Sequence, residues 1–383
     1  MSAARVVVVG GGAVGTMHAY SARARGLEVV HLEREAGPRG ASVRNFGLVW
    51  VSGRSAGSEL ALAQRARDLW AALGAAVPGV GFRPRGSLTV ARTEAELAVC
   101  ERAAAAGDAG ERGFELVGAE GVRAANPALR GEFLGGLLCR RDGSVEPGRV
   151  LGAIREHLLR DPGYRFRPGR QAVDLVGAEA GRAAAVRDHT GAWHRGDLVV
   201  LATGAALTGV AGDHLSAAPI RRCRLQMMQT APLGEELTTS VADGDSFRYY
   251  PAYREAGIEA LGGQVPPVAA RHRMQLLMVQ RADGGLTIGD THAYEEPFDF
   301  AVEEEPYDHL RETAEALLGR ALPRIERRWA GVYCETTDGS LYHRSAVAPG
   351  VIAVTAPGGR GMTCSPAIAE ETFDRTPEPD GAR

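Results

Sequence analysis

Residues 5–9 read RVVVV, and GGGAVG follows at 10–15. Four consecutive β-branched residues suit a strand. The glycines then make G-x-G-x-x-G: Gly10 permits a tight turn, Gly12 lets backbone approach a pyrophosphate, and Gly15 lets a helix lie close to the sheet. Ala13 and Val14 open that helix, whose free amides favour a phosphate. Gly26 can end it near Arg25, and LEVVHLE at 27–33 reads as the second strand. Glu33 ends that strand, where a carboxylate can accept both ribose hydroxyls of an adenosine and would repel a 2′-phosphate. The arrangement predicts a Rossmann-like α/β unit binding FAD or NAD rather than NADP.

The remaining composition narrows the chemistry. A length of 383 residues suggests two or three domains. The net charge of −3 carries no polybasic footprint, so no nucleic-acid partner is expected. No apolar run reaches membrane-spanning length, so no membrane partner is expected either. The N-terminus runs straight into a strand, leaving no room for a secretory signal. Five cysteines without a C-x-x-C pair argue against a disulfide framework and for a reducing, cytoplasmic setting. All 44 basic side chains are arginine. A lysine Schiff base and a P-loop lysine are therefore excluded, and any strong cationic contact must come from arginine, a backbone amide or protonated histidine.

Along the chain, 59–76 and 94–106 read as helices and 86–91 as a strand. Residues 140–149 read as a turn followed by helix onset, and 150–160 as a helix. Residues 165–205 suggest short strands ending on the buried DLVVLATG. From 219 to 295, RLQMMQT, SFRYYPAY, GIEALG and GLTIGDTHAY are strand-like, predicting an antiparallel sheet. Residues 303–322 read as a helix with an acidic first turn. Residues 351–373 read as strand, glycine loop and final helix.

Three segments carry a resemblance: 6–34, LVVLATGA at 198–205, and WAGVYCETTDGSLYHR with VIAVTAPGGRGMTCSPAIAE at 329–344 and 351–370. DGSVEPGR at 142–149 is a weaker match. Together they resemble the D-amino acid oxidase superfamily of FAD-dependent oxidoreductases, in character closest to glycine oxidase and monomeric sarcosine oxidase, with a subgroup associated with aminophosphonates alongside. The resemblance implies a Rossmann-like FAD-binding domain assembled from discontinuous segments (1–80, 140–218 and 325–373). It implies an antiparallel-sheet substrate domain (81–139 and 219–324) lying over the flavin, and a flexible tail at 374–383. It implies oxidation of a C–N bond in a small amine, with electrons passing to O2 or another acceptor, in a monomer or homodimer.

By the same resemblance, Glu33 and Arg34 end the dinucleotide strand, and Ser42, Arg44, Asn45, Phe46 and Gly47 line the pyrophosphate and one flavin face. Val173 contributes backbone contact to adenine, and Thr203 and Gly204 return to the FAD site. Gly359, Arg360, Gly361, Met362 and Thr363 bring amides to flavin O2, where charge develops on reduction. Arg360 and Arg44 are the leading catalytic candidates. Where glycine oxidase-like proteins carry an arginine that clamps the substrate carboxylate, this chain has Tyr333, which gives one hydrogen bond rather than a charged fork. An anion would then be met by Arg221, Arg222, Arg224, Arg248 or Arg360. His292 and His343, with Tyr249, Tyr250 and Tyr294, are expected as a polar and aromatic wall, without metal-ligand company. The cysteine of sarcosine oxidase-like proteins falls near Gly331, not Cys334, so non-covalent FAD is expected. A small hydroxy acid as substrate, or a non-catalytic nucleotide-binding protein, are the alternatives.

Overall fold

The computed structural model describes residues 4–262 and 265–375. The valine run forms the strand Arg5–Val9 in a six-stranded sheet. In order, that sheet holds His343–Ala348, Val351–Thr355, Leu198–Leu201, Arg5–Val9, Glu28–Leu32 and Tyr164–Arg167. Pairing is parallel except for His343–Ala348 at one edge. The valines divide by parity: Val6 and Val8 enter a core with Met17, Trp70, Ile154 and Ile368, while Val7 and Val9 enter another with Ala184, Val186 and Val351. Helices Ala13–Ala24, Ser58–Ala76 and Gly361–Arg375 cover the first face. A small antiparallel sheet of Ala172–Val176, Ala184–Asp188 and Trp193–Gly196 covers the second. Burial on both faces is why the run needs no polar alternation.

Two glycines set the turn after this strand. Gly10 has φ of 110°, and a Cβ there would lie 2.2 Å from the Ala202 carbonyl oxygen. A Cβ on Gly15 would lie 1.8 Å from the Gly10 carbonyl oxygen. Beneath them His31 is fully buried, donating from Nε2 to the Gly10 carbonyl and accepting the Tyr164 hydroxyl at Nδ1, both at 2.9 Å. Burial lowers its pKa to about 4, so it stays a neutral spacer.

The second sheet has eight strands. In order they are Ile325–Thr336, Ile220–Pro232, Gly285–Gly289, Leu277–Gln280, Ser240–Ala242, Ser87–Ala91, Gly135–Cys139 and Phe114–Gly118. All its pairings are antiparallel except Ser240–Ala242 with Ser87–Ala91. Two readings change here. SFRYYPAY is not a strand but the helix Asp245–Tyr249 followed by a 3-10 turn, Pro251–Ala256, and GIEALG holds the 3-10 turn Ile258–Leu261. The buried rings Phe247, Tyr250 and Tyr253 recur every third residue, a helical spacing that the aromatic density hid. The strand Ile325–Thr336, expected with the first domain, pairs instead along Ile220–Pro232, from Ile220 against Thr336 to Thr230 against Ile325. The last segment of the first sheet therefore starts after this strand, not at 325.

Asp142 joins the two parts. Its buried carboxylate accepts the amides of Val51 (2.5 Å) and Ser52 (3.0 Å) and the hydroxyls of Ser52 and Ser87 (both 2.6 Å). Asp374 and Arg375, read as tail, continue the last helix, where Arg25 pairs with Asp374 at 2.6 Å. The rest of the expected tail, 376–383, lies outside the described residues. Among the described residues no helix is long and apolar enough to cross a membrane.

Candidate functional site

A cavity of about 1090 Å³ opens between the two sheets, just above the usual range of about 300–1,000 Å³ for ligand pockets. One end is the glycine turn, where Gly10, Gly12, Ala13 and Val14 line it with Glu33 and Arg34. Glu33 is oriented by backbone: its Oε2 accepts the Gly11 amide at 2.5 Å and its Oε1 the Glu35 amide at 2.9 Å. Each carboxylate oxygen keeps a further lone pair for a hydroxyl. Arg34 is half-exposed at the rim, 3.5 Å from Glu35.

Along the middle run Ser42, Arg44, Asn45 and Phe46. Ser42 Oγ accepts the Ala13 amide at 2.9 Å, tying this loop to the helix start. Asn45 organises its own loop, donating to the Ala41 carbonyl and accepting the Gly47 amide. Arg44 donates to the Ala330 carbonyl at 2.8 Å. Opposite stand Thr203 and Gly204, the latter accepting the Thr355 hydroxyl at 2.9 Å. Gly359, Arg360, Gly361, Met362 and Thr363 complete this wall at the start of the last helix. Thr363 is locked by the Trp50 amide and the Leu48 carbonyl, and Met362 by the Trp70 indole.

The far end is closed by Trp50, Tyr249, Tyr250, Gln275, Asp290, His292 and Tyr333. Tyr249 stacks on His292 with ring centroids 4.5 Å apart and meets Tyr250 edge-on at 5.0 Å. Trp50 Nε1, Gln275 Oε1 and Tyr333 Oη are buried with no hydrogen bond of normal geometry among the described residues. Burial pushes the phenols of Tyr249 and Tyr333 well above their ordinary range, so both stay protonated donors.

Several expected residues lie elsewhere. Gly15 and Gly47 sit beneath the turn and the loop rather than on the cavity. The strand's alternation turns Val173 outward at 44% exposure, and Gln171 and Ala172 line the cavity instead. The arginine candidates for an anion are mostly engaged. Arg221 pairs with Glu335 at 2.6 Å and Arg222 with Glu296. Arg224 is buried against the Ala301 carbonyl and Gln226. Arg248 donates to the Leu261 and Gly262 carbonyls. Of these four only Arg222 reaches the cavity. Arg360 reaches it too, but its Nε is 2.7 Å from Glu59 and its Nη1 meets the Leu341 and Pro357 carbonyls. Its acid partner is Glu59, since Glu370 pairs with Arg65. His343 and Tyr294 lie off the cavity: His343 binds Ser345, and Arg221 covers the Tyr294 ring at 3.9 Å. Cys334 lines the cavity, but burial pushes its thiol up to about 12.

Several cavity residues escaped sequence reasoning, and three of them bear on the chemistry below. Arg54 is buried, donates from Nε to the Trp50 carbonyl at 3.1 Å, and lies 3.7 Å from Glu59. Two guanidiniums thus share one carboxylate, leaving a net positive charge at the wall. Asp290 and Gln275 are the others. Asp290 stands two residues before His292, and both line the cavity.

The residues present fit a dinucleotide with an attached ring system. A carboxylate meets one end, helix amides and Arg44 meet the middle, and buried aromatic and polar groups shape the other. The protein family described as FAD dependent oxidoreductase (DAO) matches residues 5–375. No curated protein matches the sequence. Among solved structures, glycine oxidase from Geobacillus kaustophilus is similar at 18% identity and a TM-score of 0.77, over 97% of this chain and 94% of that one. L-proline dehydrogenase from P. horikoshii is similar at 18% identity and a TM-score of 0.78, over 99% and 96%. Dithionite-reduced L-α-glycerophosphate oxidase from Mycoplasma pneumoniae with FAD bound is similar at 16% identity and a TM-score of 0.74, over 97% and 94%.

Proposed function

Because the chain belongs to the family of FAD-dependent oxidoreductases, we propose that it oxidises the C–N bond of a small amine, N-substituted or anion-bearing as in an aminophosphonate. FAD, when bound, supplies the hydride acceptor at N5, and its reoxidation by O2 would yield hydrogen peroxide. The observation that carries the reading is the single cavity joining the glycine turn to a closed aromatic and polar end.

Each wall has a distinct task in this reading. Gly10, Gly12, Ala13, Val14, Ser42 and Arg44 hold the pyrophosphate, and Glu33 the ribose. Thr203, Gly204 and the 359–363 amides meet the flavin. Trp50, Tyr249, Tyr250 and Tyr333 exclude water from the reacting carbon, which strengthens every charge interaction there. Arg54 faces the anionic group of the substrate, since the shared Glu59 neutralises only one of two guanidiniums. The six-stranded sheet and its helices form the FAD domain, and the eight-stranded sheet, including Ile325–Thr336, the substrate domain. The similarity to glycine oxidase and L-proline dehydrogenase supports an amine substrate. The similarity to a glycerophosphate oxidase keeps a hydroxy compound as the second reading.

An aerobic peroxide assay over glycine, sarcosine, N-methylated amines, D-amino acids and aminoethylphosphonate, beside a panel of hydroxy acids, tests this. Peroxide or flavin bleaching with amines supports it, and turnover confined to hydroxy acids refutes it. Acid precipitation should release all the flavin, because Gly331 offers no thiol. Flavin retained in the pellet would implicate Cys334.

A further inference from the structure

At the far end of the cavity, two buried acceptors, on Asp290 and Gln275, lie together with few donors. Asp290 is 5% exposed and Gln275 3%. Asp290 Oδ1 receives one long hydrogen bond, 3.4 Å, from Gln275 Nε2. Gln275 Oε1 is buried with no hydrogen bond of normal geometry among the described residues. His292 Nδ1 donates to the Arg273 carbonyl at 2.9 Å. Its Nε2 lies 3.9 Å from Asp290 Oδ2, beyond hydrogen-bond reach. A buried carboxylate and a buried amide oxygen on one cavity wall are costly unless donors enter it. Tyr249, stacked on His292, and Tyr250 line the same end of the cavity.

Building on the amine reading above, we propose that Asp290 binds the ammonium group of the substrate, with Gln275 Oε1 as second acceptor, and takes its proton before the C–H bond is broken. One N–H bond breaks and one Asp290 O–H bond forms. The neutral amine then keeps the lone pair that becomes the second C=N bond, as the C–H pair leaves as hydride to FAD, and the product is an iminium. Two acceptors require two N–H groups, so the site takes primary and secondary amines and discriminates against tertiary and quaternary ones. Burial pushes the Asp290 carboxyl above its ordinary range, which makes it a stronger proton acceptor than a solvated carboxylate. The titratable groups facing it are His292, Tyr249, Tyr250 and Cys223.

The test is calorimetric titration of the holoenzyme with dimethylammonium, trimethylammonium and tetramethylammonium chloride. The native protein should bind dimethylammonium at least about 10-fold more tightly than tetramethylammonium. Asp290→Asn should lose about 10- to 100-fold, the range for a buried charge-assisted hydrogen bond. Gln275→Met, which keeps the volume and an uncharged site, should lose less and narrow the preference for dimethylammonium. Asp290→Glu should restore part of the affinity. Retained flavin absorbance and near-UV dichroism certify each variant as folded. With an amine that turns over, the acid limb of kcat/KM should be absent in Asp290→Asn. Native protein that binds no cation, or equal affinity in native and Gln275→Met or Asp290→Asn protein, overturns the proposal. If amines are oxidised in that case, the amine reading survives without it. If the cations bind as expected but only hydroxy acids turn over, the amine reading is what fails.

Discussion

Glu59→Gln tests the charge arrangement at the cavity wall most directly. Glu59 is buried with its Oε1 2.7 Å from Arg360 and 3.7 Å from Arg54, and its Oε2 takes the Ser55 amide and hydroxyl. A unit charge pair near 4 Å is worth about 4 kcal/mol at an effective dielectric of about 20. Removing one partner of a buried pair costs about 3–5 kcal/mol, because the other charge is left without compensation. Glutamine keeps a neutral acceptor for Arg360 but strands Arg54, so a loss near the lower bound, about 3 kcal/mol, is expected at pH 7. Burial alone would raise the Glu59 carboxyl, but Arg54, Ser55 and Arg360 outweigh it and hold it below the ordinary range. A depressed folded-state pKa contributes stability that is fully present above the unfolded value, about 4.3, and is lost as pH falls through the folded one. The gap between native and variant protein should therefore be widest at neutral pH and shrink on acidification below about 4. Urea unfolding of both proteins at several pH values, with flavin content measured alongside, reads this out. A gap under about 1 kcal/mol at pH 7, or one that does not narrow in acid, would refute the argument from a shared buried charge.

Two further substitutions probe the frame. Gly15→Ala puts a Cβ 1.8 Å from the Gly10 carbonyl oxygen, backbone against backbone, so the turn must open. The purified variant should retain less than about a tenth of the native flavin absorbance, consistent with overpacking costs of about 1–3 kcal/mol or more. Asp142→Ala strands two amides and two buried hydroxyls at about 1–3 kcal/mol each, so denaturation should show a loss of at least about 3 kcal/mol. A loss below 1 kcal/mol would mean the carboxylate does not join the two parts.

The first sheet was legible in the sequence because its signals are local. Four valines, a glycine turn and an acid at the strand end each act within a few residues. The glycine block before the last helix was equally plain. The helix Asp245–Tyr249 and the turns after it were not, since their aromatic content mimics a strand and only burial at every third residue distinguishes them. Arg54 and Asp290 were missed for a different reason. Arg54 is defined by Glu59 together with Arg360, which shares that carboxylate from 301 residues away, and Asp290 by Gln275, its backbone partner where the Leu277–Gln280 and Gly285–Gly289 strands pair, a neighbour known only once the register is. Conversely, Arg221, Arg222 and Arg224 looked available, but Glu335, Glu296 and the Ala301 carbonyl take them up.

The order of strands in the first sheet has a consequence for how the protein is made. Arg5–Val9 is made well before its parallel neighbour Leu198–Leu201, and Val351–Thr355, beyond that neighbour, is made later still. At a translation rate of roughly 5–20 residues per second, the nascent glycine turn waits on the order of 20–70 s for the segment that completes its pocket. Until the Val351–Thr355 segment has been made, the cavity wall that follows it, Gly359 to Thr363, is missing. A ribosome that stalls before residue 351 releases a chain with an exposed valine edge and an incomplete cofactor site, the kind of species that quality-control proteases and chaperones are suited to remove.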